Sequence, residues 1–379
     1  METTESRARS TKKGLREGFT TGSAAAAAAK AATLKLCGVE VPEHMDIPLP
    51  GPGSGRLSIP IATLHYKDDG FQAAVVKDGG DDPDVTHGAH IEAWVGWAPD
   101  SEVVKITLEG GKGVGRVTLP GLPVAVGEPA INPGPREQIL HAVREALADV
   151  GRSAAVRVVV SVPRGEELAA KTMNPRLGIE GGISILGTRG TVKPYSHESW
   201  QATVRQSMSV ARAAGLDTIC LATGRRSERL LMALESGQDP KSFVQAADYY
   251  AFALQQAKDQ GFSHIIYGCF FGKLVKMAQG FTDTHVRAGH IDFAVLARWC
   301  NEQGSPGDVV RAVAKANTAM QVQDMLLQRP EAPAVFRHVL SKASEAARAM
   351  LDSKPKVEHV LFHMDGTLLA RNTQAQHAQ

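Results

Sequence analysis

Six acids and imidazoles crowd into one short run, "KDGGDDPDVTHGAH" at 77–90: Asp78, Asp81, Asp82, Asp84, His87 and His90. Aspartates at that density suit a hard cation. The run lacks the closing glutamate of a calcium hand, however, so a turn that orients a ligand by hydrogen bonds fits it better than a metal cage. A second stretch, "NPRLGIEGGISILGTRGTVKPYS" at 174–196, sets Gly178, Gly181, Gly182, Gly187 and Gly190 among Arg176, Arg189 and Lys193. Glycines permit positive φ and close approach, and the cations beside them pair with carboxylates or phosphates, which together favour a binding loop. It is not a P-loop, and no G-x-G-x-x-G lies between a strand and a helix.

Two further stretches join these. In "GFTTGSAAAAAAK" the turn Thr20-Thr21-Gly22-Ser23 opens an alanine helix, with Ser23 placed to cap it. A helix start presents free N–H groups that suit an anion; a capped helix packed tightly on a sheet explains the same residues. "GKLVKMAQGFTDTHVRAGH" adds Lys273 and Lys276, three apart on a helix face, with Thr284 and His285 beyond. Near the C-terminus "FHMDGTLLA" has the outline of an aspartyl-phosphate motif. His363 stands at the nucleophile's position, so that chemistry is absent and the likeness is coincidental.

The elements that must hold these loops change character along the chain. Residues 1–14 are polar and read as a disordered arm. A helix from Ala24 to about Leu36 precedes strand pairs around "KDDG" and the glycine run "GGKGVG". Ile139, Leu140, Val143, Leu147 and Val150 then space a helix that ends at Gly151. Segregated helix and strand blocks predict an α+β domain over 15–150. From 151 the pattern becomes strand, glycine-bearing turn, helix. "AVRVVVSV", "LDTICLATG" and "FSHIIYGCFFG" are the strands. That rhythm predicts a mostly parallel, Rossmann-like α/β domain over 151–305, with its cleft at the carboxyl ends of the strands. Residues 306–379 read as C-terminal helices and a polar tail.

Composition narrows the function classes. A formal net charge of +2 argues against a dedicated nucleic-acid binder. Cys37, Cys220, Cys269 and Cys300 lie far apart, which supports neither a zinc knuckle nor a disulfide framework and points to a reducing cytoplasm. No apolar run reaches the roughly 20 residues of a membrane span, and no secretory signal is visible. The expectation is a cytoplasmic protein that meets neither membrane nor nucleic acid.

Taken in order, "GFTTGSAAAAAAKAA", "DGGDDPDVTHG", "GVGRVTLPGL", "GEPAINPGPREQI", "SVPRGEELAAKTMNPRLGIEGGISILGTRG" and "GKLVKMAQGFTDTH" resemble successive signatures of the CbiD family, from about Gly14 to His285. Its members are cobalt-precorrin-5B C1-methyltransferases of cobalamin biosynthesis. The resemblance implies methyl transfer from S-adenosylmethionine to C1 of a corrinoid precursor. Cobalt then arrives in the substrate rather than on protein ligands, so no metal site is expected. It places the cofactor on Gly181, Gly182, Ser184, Gly187, Thr188 and Gly190, with Thr223 and Gly224. Thr20, Thr21, Gly22, Ser23, Asn174, Arg176, Arg189, Lys193, Lys273 and Lys276 then meet the carboxylates of the macrocycle. Asp84, His87 or His285 is the candidate to steer protons or orient the ring, and the sequence does not choose among them. A homo-oligomer and other corrin-pathway enzymes are the partners such a role suggests.

Three positions depart from the family pattern: Ala24 where a cysteine is common, Cys269-Phe270 in place of Gly-His, and Arg189 in place of a threonine. Those losses keep a non-catalytic corrinoid carrier open as an alternative. A phosphoryl-transfer enzyme is a more distant one.

Overall fold

The structure is a computed structural model describing residues 14–51, 53, 55–98, 105–352 and 354–372. The expected N-terminal arm lies almost wholly outside the described residues, as do the last seven residues of the polar tail. The chain divides into two compact units, 1–197 and 198–379.

Helix α1 (Thr21–Leu36) runs through the middle of the first unit. Ala24 to Ala29, Ala31 and Ala32 are all fully buried. A helix that is apolar all round must be enclosed on every side, and methyl side chains let its neighbours come close. Those neighbours are β1 (His44–Pro48), β4 (Gly70–Val76), β5 (His90–Trp97) and α2 (Pro133–Asp149). Lys30, the one charge in the run, is buried too. Its Nζ meets Glu145 Oε2 at 2.6 Å and the Asp46 carbonyl at 3.0 Å. Arg56 closes the other side of Glu145 at 2.8 Å, and the two cations hold that carboxyl down at about 2.

Among the described residues β1 pairs only with β2 (Arg56–Pro60), while β3 (Thr63–Lys67) pairs with β4. Asp68 and Asp69 take φ of 46° and 58°, as a two-residue hairpin turn requires. Completing that sheet are β6 (Ile106–Gly110) and β7 (Val156–Ser161), in the order β3-β4-β5-β7-β6.

Here the structure departs from the sequence reading. The run 155–162 was expected to open the parallel domain; instead β7 lies antiparallel to β5 and parallel to β6, inside the first sheet. Its alternating Val156, Val158 and Val160 are fully buried against that core. The break between units accordingly falls at 197/198 rather than at Gly151.

The second unit opens with α3 (His197–Ala213), followed by β8 (Thr218–Ala222), α4 (Arg225–Leu234), β9 (Phe243–Gln245) and α5 (Tyr250–Asp259). Then come β10 (His264–Phe270), α6 (Phe271–Ala278), three short helices, and α7 (Ala332–Leu351). β11 (Lys356–Phe362) and β12 (Leu368–Arg371) end the described chain. The sheet order is β9-β8-β10-β11-β12, with the first four parallel and β12 antiparallel. In β8, Ile219 and Leu221 enter one core and Cys220 the other, because helices cover both faces.

β11 was not foreseen; 306–379 read as helices and tail. Its apolar run is broken by half-exposed Lys356 and by Glu358 and His359, which are buried and paired. Buried Glu358 takes Lys356 at 2.7 Å, Arg371 at 2.9 Å and His264 at 3.2 Å. His359 has Tyr250 Oη at 2.9 Å and Ser344 Oγ at 3.0 Å.

Candidate functional site

Four parallel strands of the second unit end along one edge, where a sheet of this kind holds its ligands. After β8 the chain turns through Thr223-Gly224 into α4. Ser227 fastens the turn, its Oγ lying 3.1 Å from Thr223 Oγ1 and accepting from Gly224 N at 3.2 Å. A Cβ built on Gly224 would meet no atom within 4 Å, so the space before the turn is open. At the end of β9, Gln245 Nε2 donates to buried Glu228 Oε2 at 2.7 Å. The half-exposed Trp200 indole donates to the Gln245 carbonyl at 3.3 Å. The β11 end carries His363, with Nδ1 2.9 Å from Asp365 Oδ1. Arg226 of α4 donates to the Met364 carbonyl and ties this hairpin to the start of α4. The Thr367 N–H, then His363, hold the Asp365 carboxyl down at about 2.

Beside the β10 end, Lys273 and Lys276 do not present free charges. Lys273 pairs with Asp248 and donates to the Thr284 carbonyl at 2.9 Å; Lys276 donates to the His285 carbonyl at 2.7 Å. Lys276 also lies over the Phe281 ring, 5.6 Å from its centroid. Burial, then the charge of Lys273, lower its pKa. Both lysines thus pin the 281–285 loop. His285 caps a short turn: its Nδ1 accepts from Arg287 N at 3.1 Å, which leaves Nε2 as the outward nitrogen.

In the first unit the acidic run is a self-satisfied turn. Lys77, with its side chain 1% exposed, meets Asp84 Oδ2 at 2.6 Å. Asp84 Oδ1 accepts from the Thr86 N–H at 2.7 Å and its hydroxyl at 2.6 Å. Burial pushes the Asp84 carboxyl up, but Lys77 and Thr86 together outweigh it and the net shift is downward. A carboxylate so held stays ionised and is a poor proton donor. His87 Nδ1 accepts from Gly79 N at 3.1 Å. Asp78 is held by Arg16 at about 2, and Asp82 accepts from Tyr195 N at 2.8 Å. Among the described residues no three His, Cys, Asp or Glu side chains gather as a metal site would need.

The glycine-rich loop also closes on the protein itself. A Cβ on Gly182 would lie 2.1 Å from the Gly113 carbonyl oxygen, where 182–183 pairs with 113–114. Gly187 would strike Thr20 at 2.4 Å, and Gly190 would strike Leu49 at 2.5 Å. The reason is the start of α1. Thr20 N donates to the Gly190 carbonyl at 3.0 Å and Gly22 N to the Leu186 carbonyl at 3.2 Å. Thr20 Oγ1, not Ser23, is the cap, accepting from Ser23 N at 3.1 Å; Ser23 Oγ donates to the Gly190 carbonyl at 2.8 Å. Thr21 Oγ1 accepts from Leu186 N at 2.9 Å.

The Thr20–Ser23 turn therefore anchors the loop instead of offering an anion site. Buried Asn174 braces the same loop, donating to the Gly182 carbonyl at 3.0 Å and standing 3.3 Å from Ser184 Oγ. Gly182, Ser184, Gly187 and Gly190 thus pack against protein, while Gly181, Thr188, Arg189 and Lys193 remain exposed and Arg176 half-buried. Thr223 and Gly224 belong to the other unit.

The sequence reading passed over Gln245, Glu228, Trp200 and the place of His363 at the strand ends. The available signal was a short strand, "FVQ", ending roughly 20 residues past a glycine turn.

The first-unit region matches the CbiD family model over residues 8–194, and the model for the CbiD C-terminal domain matches 283–373. A cobalt-precorrin-5B C(1)-methyltransferase of Nitratidesulfovibrio vulgaris is 51% identical, covering 94% of this chain and 92% of its own. One of the same name from Geobacillus kaustophilus is 43% identical over 96% of each. The crystal structure of the cobalamin biosynthesis protein CbiD from Archaeoglobus fulgidus is 29% identical, with a TM-score of 0.37 over 69% of this chain and 79% of its own. With relatives this similar along nearly its whole length, the chain belongs to the CbiD family.

Proposed function

We propose that this chain is an S-adenosylmethionine-dependent C-methyltransferase that methylates C1 of cobalt-precorrin-5B, giving cobalt-precorrin-6A in cobalamin biosynthesis. The observation that carries this is the 51% identity to a methyltransferase of that name across 94% of the chain. The strand order of the second unit supports reading it as Rossmann-like, with its cofactor at the carboxyl edge.

The residues present there suit the group. Gly224 faces open space that an adenosyl compound can fill, and exposed Arg225 stands beside it to take an amino-acid carboxylate. When bound, S-adenosylmethionine supplies a methyl already activated on sulfur, so the protein's part is alignment and exclusion of water. Cobalt belongs to the substrate. On the first unit, exposed Arg189 and Lys193 are the cations we assign to the macrocycle's carboxylates. Asp84, His87, Lys273 and Lys276 keep the structural tasks described above.

Incubation with cobalt-precorrin-5B and methyl-labelled S-adenosylmethionine tests the reading. Label in the corrinoid with equimolar S-adenosylhomocysteine is the expected result. Saturable corrinoid binding without label transfer would make the protein a carrier.

A further inference from the structure

We infer that Gln245, braced by Glu228, is the subsite for the ribose hydroxyls of the cofactor. This rests on the methyltransferase reading. β8 and β9 are parallel neighbours with Ala222 opposite Gln245, so Gln245 stands directly beside the Thr223-Gly224 turn. A nucleoside seated at the turn after one strand of a doubly wound sheet reaches with its ribose to the end of the next strand. Ribose brings two O–H donors, so that position needs acceptors.

The Gln245 amide oxygen, with two lone pairs, supplies them in a fixed orientation. The 2.7 Å bond from Gln245 Nε2 to Glu228 Oε2 turns the amide's donor toward the carboxylate and leaves Oε1 as its acceptor pole. Glu228 lies in the first turn of α4, where the helix dipole favours a negative charge, and it is only 7% exposed. An amide held in one orientation by a buried carboxylate is a preorganised acceptor. Trp200 completes the setting: its indole is bonded to the Gln245 carbonyl and the residue is 41% exposed, which offers a flat face for a purine beside the sugar.

The test is equilibrium binding of S-adenosylhomocysteine and its 2′-deoxy analogue to the full-length protein. Wild type should prefer the ribo compound by about 10- to 100-fold, the range for a hydrogen bond to a charged or oriented group. Gln245→Leu should lose that factor for the ribo compound and bind the deoxy analogue as wild type does. Gln245→Ala should repeat the result if the leucine perturbs the fold. A merely structural brace would shift the melting temperature and keep the preference. Either variant retaining the preference, or a wild type with none, overturns the subsite while leaving methyl transfer intact. Failure of wild type to bind either compound overturns the methyltransferase reading itself.

Discussion

Asp84→Asn separates a structural carboxylate from a catalytic one. Lys77 is 1% exposed and its ammonium lies 2.6 Å from Asp84 Oδ2. At that distance, with an effective dielectric near 20, the pair attracts by about 6 kcal/mol before desolvation is counted. Removing one partner of a buried pair costs about 3–5 kcal/mol, because the remaining charge has no solvent to turn to. For a unit of this size that lowers the melting temperature by roughly 6–20 °C. The reverse change, Lys77→Met, should cost less, since Asp84 keeps its Thr86 donors and its side chain is 22% exposed. The double variant Lys77→Met/Asp84→Asn should recover most of the loss.

The same pair sets a pH dependence. The folded Asp84 carboxyl titrates below its ordinary value, so its stabilisation is present above about pH 4 and is lost as the pH falls through the folded value. Urea unfolding and methyl-transfer rates, measured well below the melting point, check both halves. Asp84→Asn that melts like wild type yet loses a hundredfold in rate would refute the structural assignment.

Gly182→Val and Gly224→Val should fail in opposite ways. The first drives a Cβ to 2.1 Å from Gly113 O and should cost at least about 1–3 kcal/mol by melting; the second should melt like wild type and lose S-adenosylhomocysteine binding in calorimetry. His359 is held by burial at about 3, against about 6.5 unfolded, so its neutral form stabilises the fold above about pH 6.5. Below that the stability should fall by about 1.4 kcal/mol per pH unit, and His359→Gln should remove this slope from the urea-unfolding profile. Arg189→Ala with Lys193→Ala should raise KM for the corrinoid about tenfold and leave KM for S-adenosylmethionine unchanged; equal effects on both would count against carboxylate contacts there.

The elements legible in the sequence were those whose pattern is local. The alanine helix, the "KDDG" hairpin and the strands ending at Ala222 and Phe270 each follow from a run of neighbouring residues. What failed were inferences about the far side of a contact. The residues of β7 have the apolar, β-branched look of a parallel-sheet strand, and β7 does pair in parallel with β6, but in the first unit's sheet. Only long-range register assigns a strand to its sheet. β11 was hidden for the opposite reason: its charges look exposed until His264, Arg371 and Tyr250 arrive from other elements to pair with them.

The candidate site repeats this lesson at finer scale. Glycine density at 178–190 correctly signals that something comes within a Cβ radius, but glycine is silent about what comes. At Gly182 it is the Gly113 carbonyl and at Gly187 it is Thr20, so the need is met inside the protein. At Gly181 and at Gly224 no protein atom fills the space, and at Gly224 one lone glycine in a turn gave a far weaker signal. The same asymmetry governs the charges. Lys273 and Lys276 looked available for a ligand, and each is bonded to a carboxylate or carbonyl, as are Lys30 and Lys77. A cation beside glycines earns a functional reading only when its partner is not already in the chain. We therefore propose the carboxyl edge of the second sheet, with open space at Gly224 and an oriented amide at Gln245, for the cofactor rather than the loop whose glycines first drew attention.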